Sequence, residues 1–212
     1  MPILRQIAQL GHPVLRTLAA PVERPTSVDV RALIDDMLAT LREADGVGIA
    51  APQVYEPVTL FIVASRPNPR YPQAPTMEPE VMINPEILER SEDMIKGWEG
   101  CLSIPGIRGE VPRHRRIRAR YQTVGGQQIE REFTDFVARI FQHEEDHLRG
   151  IVFLDRLEST RDLVTEREYQ KLLKEGNDTY LERARLVSFS RWIIHELTSR
   201  SESTMTEYPG EH

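Results

Sequence analysis

Cysteine is almost missing from this chain: among 212 residues there is one, Cys101. A single thiol cannot close an internal disulfide, so the fold has to rest on a buried core, and a hydrophobic content of 40% can fill one. No apolar run approaches the ~18 residues of a membrane-spanning helix. The opening residues Met1-Pro2-Ile3-Leu4-Arg5 lack the pattern of a signal peptide. With the lone thiol, these absences lead us to expect a cytoplasmic protein and no membrane partner. Positive charge is not in excess either: 27 Lys and Arg against 33 Asp and Glu give a net charge of −6 and a pI near 5.6. That argues against general nucleic-acid binding. One basic stretch, Arg113 to Arg120, is the exception. Arg116, Arg118 and Arg120 alternate there with Ile117 and Ala119, the pattern of a half-buried strand. A solvated strand face is the better reading than an RNA site, though an acidic partner or a ribosomal surface stays compatible with it. There is no internal repeat.

What is present is concentrated in His143-Glu144-Glu145-Asp146-His147. Histidines at i and i+4 of a helix lie roughly 40° apart around the axis, so both imidazoles can reach one ion. Glu144 borders the same point, where a carboxylate can take a proton from an activated water. This is the H-E-x-x-H pattern of metallohydrolases. The helix around it is predicted from Thr134 as N-cap, Asp135 in the first turn, an apolar face of Phe136, Val137, Ile140 and Phe141, and Gly150 just past the end.

A lone H-E-x-x-H also arises by chance, and a catalytic metal needs a third protein ligand with water at the fourth position. Cys101 is the candidate. A solitary cysteine is usually a small buried hydrophobe. This one instead sits among Gly97, Gly100, Pro105 and Gly106, and a thiolate binds zinc strongly and is soft enough for iron(II) or cobalt. Closing the loop from Cys101 to His143 costs about 3 kcal/mol in its length-dependent entropy. Structural zinc sites supply roughly 10–16 kcal/mol, so loop length is no obstacle.

A third segment, Gly46-Val47-Gly48-Ile49-Ala50-Ala51-Pro52-Gln53, precedes these two. With Glu99-Gly100-Cys101-Leu102-Ser103 and Gln142-His143-Glu144-Glu145-Asp146-His147-Leu148 following in that order, the chain closely resembles the peptide deformylase family. The likeness runs from about Ile3 to Leu157, and Gly11-His12-Pro13-Val14-Leu15-Arg16 also looks like the family's opening.

The resemblance implies removal of the formyl group from the N-terminal formyl-methionine of newly made polypeptides. It assigns one divalent metal to Cys101, His143 and His147, with Fe(2+) expected and Zn(2+), Ni(2+) or Co(2+) permitted by the same ligands. It gives Glu144 the proton transfers. The oxyanion falls to the side-chain amide of Gln53 and the backbone N–H of Leu102, neutral donors suited to charge that develops in the transition state. Without the resemblance, Gln53 would be a turn residue and Leu102 a core residue. Gly46 is expected to end the helix before it. Gly48 is expected to line the site, with backbone near Val47 and Gly48 pairing with an extended peptide. Ile140, His143 and Leu102 would wall the methionine pocket, Arg108 would lie near it, and Asp146 would take a structural or histidine-orienting role. Two positions depart from the family pattern. Arg139 replaces an apolar residue, with its stem expected to line the pocket and its charge to reach water. Trp98 stands where many members have a glutamate.

The expected architecture is α+β, with antiparallel strands packed around a central metal-binding helix that carries HExxH. A helix is predicted over about 28–44 and strands over 58–64, 81–83, 87–95, 116–123 and 127–133, the last two joined at Gly125-Gly126. The proline-rich stretch Arg66 to Glu80 reads as a long surface loop, and 151–154 as a short strand. Residues 1–158 would form the catalytic domain and 159–212 a helical extension. Its helices are expected around 163–173 and 180–197, before a polar, disordered tail. An oligomer contact through the extension is compatible with its apolar stripe. Two rivals remain at this point. A zinc endopeptidase would take a downstream ligand such as Glu166 or Glu168 and make Cys101 dispensable. A binding module on the same fold would need no base at Glu144.

Overall fold

The computed structural model describes residues 1–174, so the expected helix at 180–197 and the tail lie outside the described residues. The chain divides into two compact units, Met1–Glu166 and Arg167–His212. In the first unit, α1 (Val28–Glu43) begins where the Ser27 hydroxyl accepts the Val30 N–H at 3.3 Å. Asp45 takes the left-handed conformation after it (φ 51°), and the Gly46 N–H closes the helix end onto the Leu41 carbonyl at 3.1 Å. β1 (Gly48–Ala50), β2 (Leu60–Val63) and β3 (Glu80–Arg90) follow. Next come β4 (Met94–Cys101), β5 (Ile104–His114), β6 (Arg116–Gln122) and β7 (Gln128–Thr134). α2 (Asp135–Leu148), β8 (Leu163–Thr165) and α3 (Glu166–Lys174) complete the described chain.

Five strands pair antiparallel in the order β1-β2-β3-β6-β7, and three in the order β4-β5-β8. β2 is buried on both faces and shows why the strand reads as an unbroken apolar run. Phe61 and Val63 join the cluster around Phe141 and Ala138 of α2, while Leu60 and Ile62 join Leu33, Ile34, Met37 and Leu41 of α1. The larger sheet is therefore a layer between the two helices. α2 is buried along nearly its whole length from Ala138 to Leu148.

Several expected elements change character. β3 is one strand across Pro85, which falls at a register shift against β6, where a missing N–H breaks no ladder. β4 and β5 were hidden by their glycines and prolines. They form a long hairpin whose two turn residues, Leu102 and Ser103, separate the paired Cys101 and Ile104. Residues 153–156 form a 3-10 turn where a strand was expected, and Leu163 belongs to a strand, not a helix. Thr134 precedes α2 without a side-chain cap, because Asp135 takes φ 50° and donates its N–H to the Arg115 carbonyl at 2.7 Å. The arginine face of β6 is solvated and paired: Arg116 with Glu132, Arg118 with Glu89 and Glu130, Arg120 with Glu86. Its charge is matched in place, as the strand reading implies.

Phe141 is fully buried and stacks edge-on against Phe61 at 4.9 Å between ring centroids, with Phe133 at 5.3 Å. Phe141→Ala is expected to lower unfolding free energy by about 3–5 kcal/mol in a urea titration. Leu18→Ala, at a side chain 75% exposed, should shift it by less than about 0.5 kcal/mol.

Candidate metal centre and active site

Two elements distant in sequence supply the candidate ligands. Cys101 ends β4 at the hairpin turn, and His143 and His147 lie one helical turn apart on α2. The sulfur and one ring nitrogen from each histidine lie within 4.8 Å of one another. Cys101 Sγ is 3.2 Å from His147 Nε2 and accepts hydrogen bonds from the Ser103 N–H and from Gln53 Nε2, each at 3.4 Å. Burial would raise the thiol pKa, but the adjacent His147 and His143 outweigh it and hold it well below its ordinary value. The set suits a borderline or soft divalent ion: one thiolate, two imidazoles, and donors already turned toward the sulfur.

His143 is oriented by a residue for which sequence reasoning had no role. Its Nδ1 lies 2.9 Å from Glu99 Oε2, which leaves Nε2 for the site. Glu99 is itself gripped by Arg113 through two bonds of 2.9 and 3.0 Å. Burial alone would raise the Glu99 carboxyl; the Arg113 charge and the His143 hydrogen bond overcome that and keep it far below the carboxylate range. Asp146, for which a structural or histidine-orienting role was expected, binds Arg113 at 2.6 Å and Arg156 at 2.5 and 3.0 Å, the structural one of the two. Glu99 was forewarned by its place in the Glu99-Gly100-Cys101 segment, two residues before the cysteine, a spacing that puts both side chains on one face of a strand.

Glu144 is buried beside these groups, and its Oε2 has no hydrogen-bond partner among the described residues. Burial pushes its carboxyl up to about 7 against the opposing charges of His143 and His147. A bound divalent cation would act in the opposite direction. A Cβ on Gly48 would collide with Glu144 Oε1 and come within 2.8 Å of Ile140 Cγ2. β1 therefore runs against α2 at the Glu144 carboxylate only because Gly48 has no side chain.

An open cavity reaches this point, lined by Val47, Gly48, Gln53, Leu102, Ile140 and Glu144 among others. Gln53 Oε1 accepts the Ala50 N–H at 2.8 Å, which fixes the amide so that Nε2 faces Cys101 and Ser103. Arg139 lines the cavity too, but its charge does not reach water. The guanidinium turns inward to Glu99 and the carbonyls of Val111, Gly97 and Ile95 at 2.5–3.2 Å, in space left by Gly97, where a Cβ would come within 2.9 Å. Arg108 lies behind the wall, fully buried, 4.6 Å from the centre of the Tyr71 ring and ion-paired with Glu166 at 2.6 Å. The stretch read as a surface loop contributes to the site: Arg70 and Tyr71 line the cavity, and the Tyr71 hydroxyl accepts the Gly100 N–H at 3.2 Å.

A profile of the polypeptide deformylase family matches residues 4–162. The chain belongs to this family. Peptide deformylase 2 of Nostoc sp. is 56% identical over 175 residues, 82% of this chain and 98% of that relative. Peptide deformylase 2 of Shewanella oneidensis is 52% identical over 150 residues, 71% of this chain and 82% of that one. Among solved structures, a class I type b peptide deformylase from Acinetobacter baumannii with Met-Ala-Ser bound superposes with a TM-score of 0.72 at 50% identity. It covers 74% of this chain and 100% of its own. Membership carries the family's mixed helix and antiparallel-sheet fold, its metal dependence, and its activity, removal of the N-formyl group from nascent peptides. No helix of the described residues is long and apolar enough to cross a membrane.

Glu99→Gln removes the charge that matches Arg113 and orients His143. Metal retention after dialysis against a graded chelator, read by elemental analysis, is expected to weaken by about 10- to 100-fold in this deformylase variant. Unchanged retention would mean that Glu99 only packs.

Proposed function

We propose that Cys101, His143 and His147 hold one divalent metal, Fe(2+) in the native enzyme, on a central helix, α2, that carries the H-E-x-x-H segment. We also propose that Glu144 is the general base and acid of deformylation. The observation that carries this reading is the meeting of the three ligand atoms within 4.8 Å beside the unpartnered, buried Glu144 Oε2 at the inner end of the cavity. Zn(2+), Ni(2+) or Co(2+) satisfies the same ligands. The metal, when bound, supplies Lewis acidity that activates water and polarises the formyl carbonyl.

The chain's own residues do the rest. Glu144 takes the proton of the attacking water at Oε2 and delivers it to the departing amine nitrogen. Gln53 Nε2 and the Leu102 N–H donate to the oxygen of the formyl group as it becomes an oxyanion. Gln53 is held rigid by Ala50, and Leu102 by the tight hairpin turn, so little reorganisation is needed. Ile140, Leu102, His143 and the stem of Arg139 wall the methionine pocket. Arg108 supports that wall through Tyr71. β1 is an edge strand of its sheet, and a substrate peptide adds to it at Val47 and Gly48. Residues 1–158 carry this chemistry, β8 pairs with β5 at an edge of the smaller sheet, and the extension over 159–212 is where a ribosome or a second copy would be met. The enzyme works in the cytoplasm, on nascent chains.

Anaerobically prepared, iron-loaded protein should release formate from formyl-Met-Ala-Ser. Cys101→Ala should lose metal and activity together. Glu144→Gln should keep its metal and lose on the order of 10²- to 10⁴-fold in kcat. No formate from the metal-replete wild type would overturn the assignment.

A further inference from the structure

The cavity carries one charge that the catalytic arrangement does not use. Arg70 lines the cavity, half-buried, and among the described residues its guanidinium has no ion-pair or hydrogen-bond partner. The neighbouring cations are committed: Arg66 of the same loop pairs with Asp45 at 2.7 Å, and Arg139 across the cavity pairs with Glu99 at 3.0 Å. Apart from that pair and the groups at the metal centre, Arg70 is the only ionised side chain on the described lining.

Its position is built. Asn68 Oδ1 accepts the backbone N–H groups of Arg70 and Tyr71 at 2.9 and 2.8 Å, which closes the loop into a turn. Tyr71 then anchors that turn. Its hydroxyl accepts the Gly100 N–H on β4, and its ring packs on Phe136 of α2 at 5.1 Å between centroids. Arg70 is thus held at the rim by a neighbour locked into the wall.

We propose that Arg70 is a specificity determinant that selects formyl-methionyl chains with an acidic side chain at the second or third residue. This rests on the deformylase reading above. A peptide that adds to the edge of β1 with its methionine against Ile140 sends the following residues out through the mouth, with side chains alternating in direction. A guanidinium waiting there without a partner gives a carboxylate a two-pronged contact, and repels lysine or arginine at the same place.

The test uses the full-length, metal-loaded enzyme and C-terminally amidated peptides, so that no terminal carboxylate competes. Formyl-Met-Asp-Ser, formyl-Met-Lys-Ser, formyl-Met-Ala-Asp and formyl-Met-Ala-Lys are compared with formyl-Met-Ala-Ser. At one or both positions kcat/KM should favour aspartate over lysine by about three- to tenfold, the contrast between an attractive and a repulsive half-exposed pair. Arg70→Gln should bring the ratio to about one and Arg70→Glu should invert it. The wild-type ratio should also shrink as salt rises from about 0.02 to 0.5 M, a readout that needs no variant. A ratio near one at both positions, or an acidic preference that survives Arg70→Glu, overturns this proposal and leaves the deformylase assignment intact. Absence of formate from all five peptides overturns both.

Discussion

The arrangement of this active site depends on one buried carboxylate. Glu99 Oε1 receives Arg113 Nε and Arg139 Nη1, and Oε2 receives Arg113 Nη2 and lies against His143 Nδ1. Three elements meet there: β4 brings the carboxylate, β5 brings Arg113, and α2 brings Arg139 and His143. Burying such ions costs several kcal/mol each, and apolar side chains of similar volume would join the sheet to the helix as firmly or more so. Stability is therefore a poor reason for the cluster. What apolar packing lacks is direction. A charge-assisted bond to Nδ1 fixes both the rotation of the His143 ring and its tautomer.

The same cluster determines where the cysteine goes. Arg113 reaches past Glu99 to Asp146, so the β4–β5 hairpin is tied to α2 on either side of His143. The hairpin turn has only two residues, which leaves Cys101 little freedom once its strand is docked. The sulfur then arrives beside His147 without a long flexible connection. On the opposite side β1 approaches α2 at Gly48, and on a third side Tyr71 ties the proline-rich loop to Gly100, next to the cysteine. The cavity is the space these contacts leave.

Much of this was legible in the sequence because the relevant signals are local. The period of α1, the alternation in β6 and β7 around Gly125-Gly126, and the i, i+4 histidines each specify structure within a few residues. The candidate ligands and Glu144 were legible for the same reason. β4 and β5 were not. Their residues include Gly97, Gly100, Pro105, Gly106, Gly109 and Pro112, which look like punctuation until Gly97, Gly100 and Gly109 are seen making room for neighbouring side chains. Gly97 yields its space to the Arg139 guanidinium, and no rule of propensity contains that contact. Arg139 itself was misjudged because a lone arginine on an apolar face normally carries its charge to water. Its inward turn depends on Glu99, forty positions earlier in the chain.

The H-E-x-x-H segment alone leaves the reaction open, since an endopeptidase and a deformylase can share it. Membership of the deformylase family decides, and the surroundings of the histidines agree with it. An endopeptidase reading needed Glu166 or Glu168 near the histidines. Glu166 is held by the Arg108 guanidinium through bonds of 2.6 and 3.2 Å, and Glu168 pairs with Lys171 at 2.7 Å. Moving Glu166 would break its two-bond pair with the fully buried Arg108. Among the described residues, the group that gathers at the histidines includes the Cys101 thiol and neither of these carboxylates. Gly48 lets β1 approach α2 beside Glu144 and Ile140, so one wall of the cavity is backbone that an extended peptide could pair with. Those features fit chemistry at a polypeptide's N-terminus.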